Sequence, residues 1–384
     1  IDEFVLGFKQ LLNTLPAALR ENLGAQLTLL NPGRELKVSG ETHVTVAGET
    51  VIAHETKWAL PDIHIDDIRV KAKARLVPVA TYIDEFSITG LKGALRVGAN
   101  GALKKGSEVV VDEKTKRQTR VATTIPNLRY SVELSQKKEN EILEGTHLVG
   151  AFTLSGTARG NIVDGKIGID DLSVRNPKVK IQNVNLDFPF KHDLKLNKTL
   201  NLRAGNKERI IKNYNFNRAY NFSIAGIDIS DPNNKREWLK IVYPRGNYPA
   251  VGASMEYKDN VFVMPVMQMY TLNGVVTISD TLFNLGRLRP KEMEYSSTIQ
   301  IKDIDLKQLL PSDKAETITD GKLRIDMLFT GNRLDKPIEN LNGYISIFRI
   351  GPEFADTVMK AVMPKSSSIV TTLAANTTIP KNGH

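Results

Sequence analysis

A six-residue pattern recurs along this chain: apolar, any residue, Asp, Asn, Glu or Gly, apolar, any residue, apolar. It occupies residues 65–70, 83–88, 169–174, 181–186, 224–229 and 301–306. Successive side chains of a strand point to opposite faces, so an apolar spacing of three followed by two cannot keep one flat face. Asp, Asn and Gly permit a bend there through local hydrogen bonds or a positive φ. The pattern therefore predicts many kinked strands stacked side by side.

Plain alternation of apolar and polar residues surrounds these units. It covers residues 36–46, 68–76, 148–154, 293–301 and 323–329. Such alternation is typical of half-buried antiparallel strands, whereas strands of a parallel sheet are apolar on both faces. Asn-Gly or Asp-Gly pairs predict tight hairpin turns at residues 100–101, 164–165, 273–274, 320–321 and 342–343.

Helical spacing is confined to the two ends of the chain. Between them, the stretch from Lys191 to Arg218 is basic and poorly patterned, which predicts an irregular excursion from the sheet. The predicted organisation is N-terminal amphipathic helices (1–24), a first β segment (25–190), the excursion (191–218), a second β segment (219–350), and a C-terminal helix with its tail (351–384).

Composition narrows the class of partner. The chain is 41% hydrophobic and 25% charged, as folded proteins are, and it has no cysteine, which excludes disulfides and thiolate chemistry. Its net charge of +9 favours anionic partners, but the aromatic content of 7% argues against nucleic acid, whose single strands stack on exposed rings. No stretch reaches the roughly 20 apolar residues that a transmembrane helix needs.

One group of basic residues is the candidate for contact with a membrane or another anion. Arg69, Lys71, Lys73 and Arg75 alternate along one strand, so they share a face and repel one another. A compensating anion, such as an acidic membrane surface, would relieve that repulsion. An ordinary solvated face is the alternative interpretation.

Catalytic motifs are absent or incomplete. Residues 160–166 have the spacing of a phosphate-binding loop, but Ile167 stands where Ser or Thr should bind magnesium. Ser135 and Lys138 have the Ser-x-x-Lys spacing without its companion motifs. The histidines form no His-x-x-x-His pair. The sequence therefore predicts no enzyme, no metal site and no cofactor.

Three segments resemble AsmA-like envelope proteins, bacterial relatives of bridge-like lipid-transfer proteins with repeated β-grooves. IVDGKIGIDDLSV at residues 162–174 resembles their hairpin-and-bend unit, and residues 340–363 resemble their C-terminal strand and short helix. The Leu- and Pro-rich N-terminal helices followed by LKVSGETHVTVAG are also similar. The resemblance implies an elongated, curved antiparallel sheet that forms an open, taco-like groove, with short helices near both ends. It also implies the periplasm of a Gram-negative bacterium and a membrane anchor in the full-length protein, although no anchor is visible in this sequence.

The combined hypothesis is the soluble periplasmic part of an envelope protein. It would bind acyl chains in an apolar β-groove and move phospholipid between the inner and outer membranes. The expected partners are phospholipid or another acyl-chain lipid and a membrane surface, and partner proteins in either membrane are left open. The alternative is a structural or adhesive β-repeat protein with a packed core and no lipid cargo. The residues expected to contact lipid alternate with charged neighbours and are Val38, Val44, Ile68, Val70, Phe152, Leu154, Leu172, Val174, Ile325 and Met327.

Overall fold

The structure is a computed structural model, and it is mainly β. The residues it describes are 4–7, 35–61, 64–111, 118–143, 145–196, 199–200, 202, 206–212, 221–231, 236–242, 249–286, 288, 290–309, 316, 318–333 and 341–351.

Within these residues, eighteen strands form one antiparallel sheet, which confirms the prediction of a mainly β, antiparallel fold. They are β1 (Phe4–Gly7), β2 (Glu35–Ala47), β3 (Glu49–Leu60), β4 (Ile65–Val77), β5 (Ala80–Gly90), β6 (Leu95–Val111), β7 (Gln118–Leu143), β8 (Thr146–Arg159), β9 (Ile162–Arg175), β10 (Val179–Asp193), β11 (Phe222–Asp231), β12 (Arg236–Val242), β13 (Val251–Lys258), β14 (Val261–Thr271), β15 (Gly274–Asn284), β16 (Glu294–Asp305), β17 (Lys322–Gly331) and β18 (Leu341–Ile350). The described helices are α1 (Asn206–Ile211) and two single 3-10 turns, Pro290–Glu292 and Leu306–Leu309.

The strands follow one another as a meander. Each strand from β1 to β10 pairs with the strand that follows it in the chain. The same holds for each strand from β13 to β17. β12 is shared: β11 pairs with both β12 and β13, and β14 also pairs with both. Among the described residues no pairing joins β18 to β1, so the sheet is not closed. Both predicted β segments belong to this single sheet, because β10 and β11 are direct neighbours on either side of the excursion.

The recurring six-residue pattern marks irregularities in the sheet. Asp171, Asn183 and Asp303 have φ values of 45°, 47° and 56°, and the strand register shifts beside each of them. In each case the extra residue lets both flanking apolar side chains stay on the same face. Within the copy of the pattern at residues 224–229, β11 changes its pairing partner from β13 to β12.

Two sets of local predictions need correction. Phe4–Gly7, predicted as part of a helix, is a strand paired with β2, while the rest of residues 1–24 and the C-terminal helix lie outside the described residues, apart from Gly351. Of the predicted hairpin turns, only the one at Asn273 joins two adjacent strands, β14 and β15. The pairs at 100–101, 164–165 and 342–343 lie inside strands, where the glycine serves close packing, and the pair at 320–321 ends a longer connection.

The excursion after β10 is anchored by one buried side chain. Asn260, only 1% exposed, accepts a hydrogen bond from the Asp193 amide and donates to the backbone oxygens of Asp193, Leu196 and Gly286. Because all these bonds leave one amide group, they fix the start of the excursion at the β13–β14 turn.

Candidate functional site

One row of apolar residues, with a glycine at one position, crosses the sheet. Directly opposed residues of antiparallel strands lie on the same face, so the register identifies the row. It contains one residue from every strand between β2 and β18 except β12. Its members are Val38, Trp58, Ile68, Gly90, Leu95, Leu134, Phe152, Ile169, Leu186, Phe222, Ala253, Met267, Ile278, Ile299, Met327 and Ile345. The face that carries this row is called the apolar face below.

A second row runs beside the first in the C-terminal half of the sheet. It is also entirely apolar and consists of Leu172, Val184, Ile224, Val251, Met269, Val276, Ile301, Ile325 and Ile347. Small buried clusters pack on this side of the central row. One joins Ile304 and Leu323 to Ile325 of the second row, and another, in the N-terminal half, contains Ala94, Ile142 and Leu148. One margin of the apolar face is therefore packed.

Aromatic rings line the face on the other side of the central row. Phe188, Tyr257, Phe262, Phe283, Tyr295 and Phe329 form a chain of ring contacts with centroid distances of 5.8 to 6.5 Å. Phe188 and Phe262 are 5.8 Å apart although β13 lies between their strands. Rings that pack in this way hold one another and present a continuous apolar surface.

In the N-terminal half, Tyr130 lies across two glycines of the same face. Its hydroxyl donates to the Asp164 backbone oxygen at 3.0 Å. A Cβ at Gly156 or Gly165 would come within 3 Å of that hydroxyl, so only glycine leaves room for the ring. Burial raises the pKa of Tyr130, and nearby Asp164 adds to the rise.

The apolar face is not covered by a second layer within the described part of the chain. Phe152, Met267 and Met327 all remain partly exposed, as do most members of the central row. Val44 and Val46, at the end of the β2–β3 hairpin, are 58% and 75% exposed. A packed interior would hide such side chains almost completely.

A smaller apolar patch on the opposite face is buried by the segment that follows β10. Val261, Val263 and Leu282 are at most 1% exposed, because Leu200 and side chains of α1 pack over them. Leu200 donates its amide to Glu294 at 2.7 Å, and the ammonium group of Lys207 donates to Thr298 at 3.0 Å. The predicted excursion thus covers this patch, whereas no described segment covers the apolar face.

The register places all ten predicted lipid-contacting residues on the apolar face. They differ in exposure: Val70 and Ile325 are 7% and 3% exposed, whereas Phe152, Leu154 and Met327 are partly open to solvent. Val70 and Ile325 therefore contribute to packing, and the other three are better positions for testing a ligand.

The predicted basic residues lie on the opposite face, and two of them are paired. Lys71 contacts Glu55 at 3.0 Å, and Arg75 contacts Asp84 at 2.8 Å and Glu49 at 3.8 Å. The hydrogen bond and charge of Asp84 raise the pKa of Arg75, and Arg75 in turn lowers the pKa of Asp84. The positive charge of this group is therefore partly neutralised by the protein.

His192 is the one strongly buried histidine in the described part of the chain. It is 5% exposed, its Nδ1 lies 2.5 Å from the Tyr257 hydroxyl, and its Nε2 has no hydrogen-bond partner among the described residues. Burial lowers the pKa of His192, and the charge of Asp193 opposes that shift only in part. The neutral ring is therefore favoured in the folded protein.

Acid should destabilise the protein through His192. Its pKa is lower folded than unfolded, so the unfolded state binds more protons, and stability falls as the pH drops below the unfolded value of about 6.5. We expect the urea midpoint to fall between pH 7.5 and 5.5, and to fall less in the His192→Gln variant. Equal falls in both proteins would contradict this role for His192.

The sequence alone did not identify the aromatic chain or the second apolar row. Their members belong to strands far apart in sequence, so they become a surface only once the register is known. Met267 and Met269, in the most apolar stretch of the chain, were the available signal for this region.

The fold and the site together define an antiparallel sheet with one continuous apolar face. Comparison with known proteins finds no matching family model, no matching curated protein and no matching solved structure. Across the described ranges, no group of three or more His, Asp or Glu side chains could hold a metal ion. None of the described helices has the length and apolar character needed to cross a membrane.

Proposed function

We propose that this chain binds the acyl chains of phospholipid along its apolar face, as the periplasmic part of an AsmA-like lipid-transfer protein. The observation that carries the proposal is the apolar row from β2 to β18, which no second layer covers within the described part of the chain. In this proposal the sheet curves around the lipid as an open groove and moves phospholipid between the inner and outer membranes of a Gram-negative bacterium.

The energy of binding would come from removing methylene groups from water. Each buried methylene is worth about 0.8 kcal/mol, so even a partly covered acyl chain gains several kcal/mol. The row crosses sixteen strands, and a strand spacing of about 4.8 Å makes it about 70 Å long. That length is more than twice the roughly 30 Å hydrocarbon core of a bilayer. Several acyl chains could therefore lie on the face in succession.

The two margins of the face support this arrangement. The margin beside Ile304 and Leu323 is packed, whereas exposed apolar residues such as Val44, Val46 and Leu76 lie towards the other. Charged headgroups would stay hydrated along the unpacked margin while the acyl chains occupy the face. The close rings of Phe188 and Phe262 fit a face that curves inward.

Photocrosslinking from neighbouring residues of β8 tests the proposal. A photoreactive amino acid at Phe152, on the apolar face, should capture lipid from the purified protein or from added phospholipid vesicles. The same amino acid at Thr153, the next residue and on the opposite face, should capture much less. Mass spectrometry of the extracted protein should identify the bound lipid.

Equal lipid capture from the two positions would rule out a specific acyl-chain face. Absence of lipid at Phe152 even with vesicles present would favour the structural or adhesive protein without cargo.

A further inference from the structure

A concavity of about 450 Å³ lies on the face of the sheet opposite the apolar rows. Its lining contains the side chains of Asn100, Asn127, Arg129, Thr157 and Arg159, together with Gly101. The register opposes Arg129 to both Asn100 and Thr157, and Asn127 to Arg159, so adjacent strands β6, β7 and β8 bring these groups together. Every one of these side chains can donate a hydrogen bond, and none is acidic.

Among the described residues, neither arginine of this concavity has an acidic partner. Within the described part of the chain, neither guanidinium forms an ion pair or a hydrogen bond. Other arginines of the sheet do: Arg75, Arg175 and Arg349 contact carboxylates at 2.8 to 2.9 Å. Two guanidinium groups at diagonal positions of neighbouring strands repel one another. Their closeness here therefore points to an external anion that offsets the repulsion.

Three carboxylates around this region accept hydrogen bonds from other groups, and one of them, Glu85, accepts from the Ser87 hydroxyl. Asp164 of β9 accepts hydrogen bonds from both the amide and the hydroxyl of Thr157. A neighbouring concavity shares Asn100 and Arg129 and is bordered by Asp84 and Glu85, but the Asp84 carboxylate is held by Arg75. None of these three carboxylates forms an ion pair with Arg129 or Arg159 among the described residues.

We propose that Arg129 and Arg159, with Asn100 and Asn127, form a binding site for a phosphate group. Guanidinium groups bind phosphate oxygens through paired, charge-assisted hydrogen bonds, and the two amides can donate to the remaining oxygens. The concavity is larger than a phosphate ion, so a phosphate ester with an attached group also fits. The phosphate could belong to a lipid headgroup or to a small soluble molecule. Because the site lies on the other face of the sheet, it does not depend on acyl-chain binding.

Two probes distinguish the sources of phosphate. Inorganic phosphate binding is measured by calorimetry, and membrane binding by flotation with phosphatidylglycerol vesicles and with phosphatidylcholine vesicles. We expect Arg129→Gln/Arg159→Gln to weaken binding by about 10-fold or more, because the variant loses both charged donors. Arg96→Gln is the matched control, since Arg96 lies on the same face of β6 but opposite Glu133 and outside the concavity. It should bind as the unaltered protein does.

The results of these measurements distinguish a small soluble phosphate from a lipid headgroup. Binding of inorganic phosphate that the double variant loses identifies a site for a small soluble phosphate, while loss seen only with phosphatidylglycerol vesicles identifies a headgroup site. If the unaltered protein binds neither probe, or if Arg96→Gln weakens binding equally, the site does not exist. Circular dichroism checks folding, and Arg129→Lys/Arg159→Lys, which keeps the charge but not the paired donors, should show an intermediate loss. Should the Gln variant fail to fold, unchanged binding by the Lys variant would overturn the proposal.

Discussion

Charging the apolar face in both halves of the sheet should abolish lipid binding while leaving the protein folded. In Leu154→Asp/Met327→Asp, each carboxylate stands beside the path proposed for the acyl chains and would have to lose water when lipid binds. We expect the lipid recovered with the purified protein to fall by about 10-fold or more, which corresponds to losing the burial of two or three methylene groups. Both positions are partly exposed, so the carboxylates remain hydrated in the lipid-free protein.

The matched control places the same charges on the other side of the same strands. Ser155→Asp/Thr330→Asp changes the residue that follows Leu154 and the residue three positions after Met327. Both lie on the face opposite the apolar row. It should retain lipid and have a similar thermal midpoint. A large loss of stability in Leu154→Asp/Met327→Asp would instead indicate a packed core, because an unpaired charge in a dry interior costs several kcal/mol.

Local patterns in the sequence predicted the strands well because each pattern reflects a local cause. Alternation identified the two faces of β2, β4, β8 and β17, since side-chain direction reverses at every residue of a strand. The bend pattern identified Asp171 and Asn183, since these side chains bond across the two bulges. The Asp171 carboxylate accepts a hydrogen bond from the Asn185 side-chain amide, and the Asn183 side-chain oxygen accepts one from the Ser173 hydroxyl.

Asn-Gly and Asp-Gly pairs predicted turns less reliably, because glycine also permits close packing inside strands. Gly165 lies under the Tyr130 hydroxyl inside β9, and a Cβ at Gly343 would collide with the Leu328 backbone oxygen. Both glycines permit a close approach and neither makes a turn. The sequence contains the glycine but not the partner that approaches it, so these positions could not be separated from true hairpins.

The sequence predicted which side chains of the candidate site share a face, but not how exposed each of them is. Alternation within a strand shows which of its side chains share a face, and the ten residues predicted to contact lipid all lie on the apolar face. Which apolar patch remains open depends on where the excursion packs. That choice is made by contacts across long sequence separations, such as Asn260 with Asp193 and Leu200 with Glu294, and no local pattern encodes them.

The covered patch on the opposite face should contribute most to stability, and two leucine-sized residues of β15 allow a direct comparison. Leu282 is 0% exposed beneath the excursion, whereas Ile278, four residues earlier, lies on the apolar face and is partly exposed. We expect Leu282→Ala to lower the free energy of unfolding by about 3 kcal/mol, since it leaves a cavity among Leu200, Val261 and Val263.

Ile278→Ala should cost clearly less, about 1 kcal/mol, because its side chain is already partly in contact with water and leaves no enclosed cavity. Urea unfolding measures both changes, and lipid recovery from the same samples separates stability from binding. Leu282→Ala should keep its lipid if it remains folded, whereas Ile278→Ala should bind less because it removes part of the central row. Equal losses of stability at the two positions would mean that the apolar face is packed as tightly as the covered patch, and the open face would then be wrong.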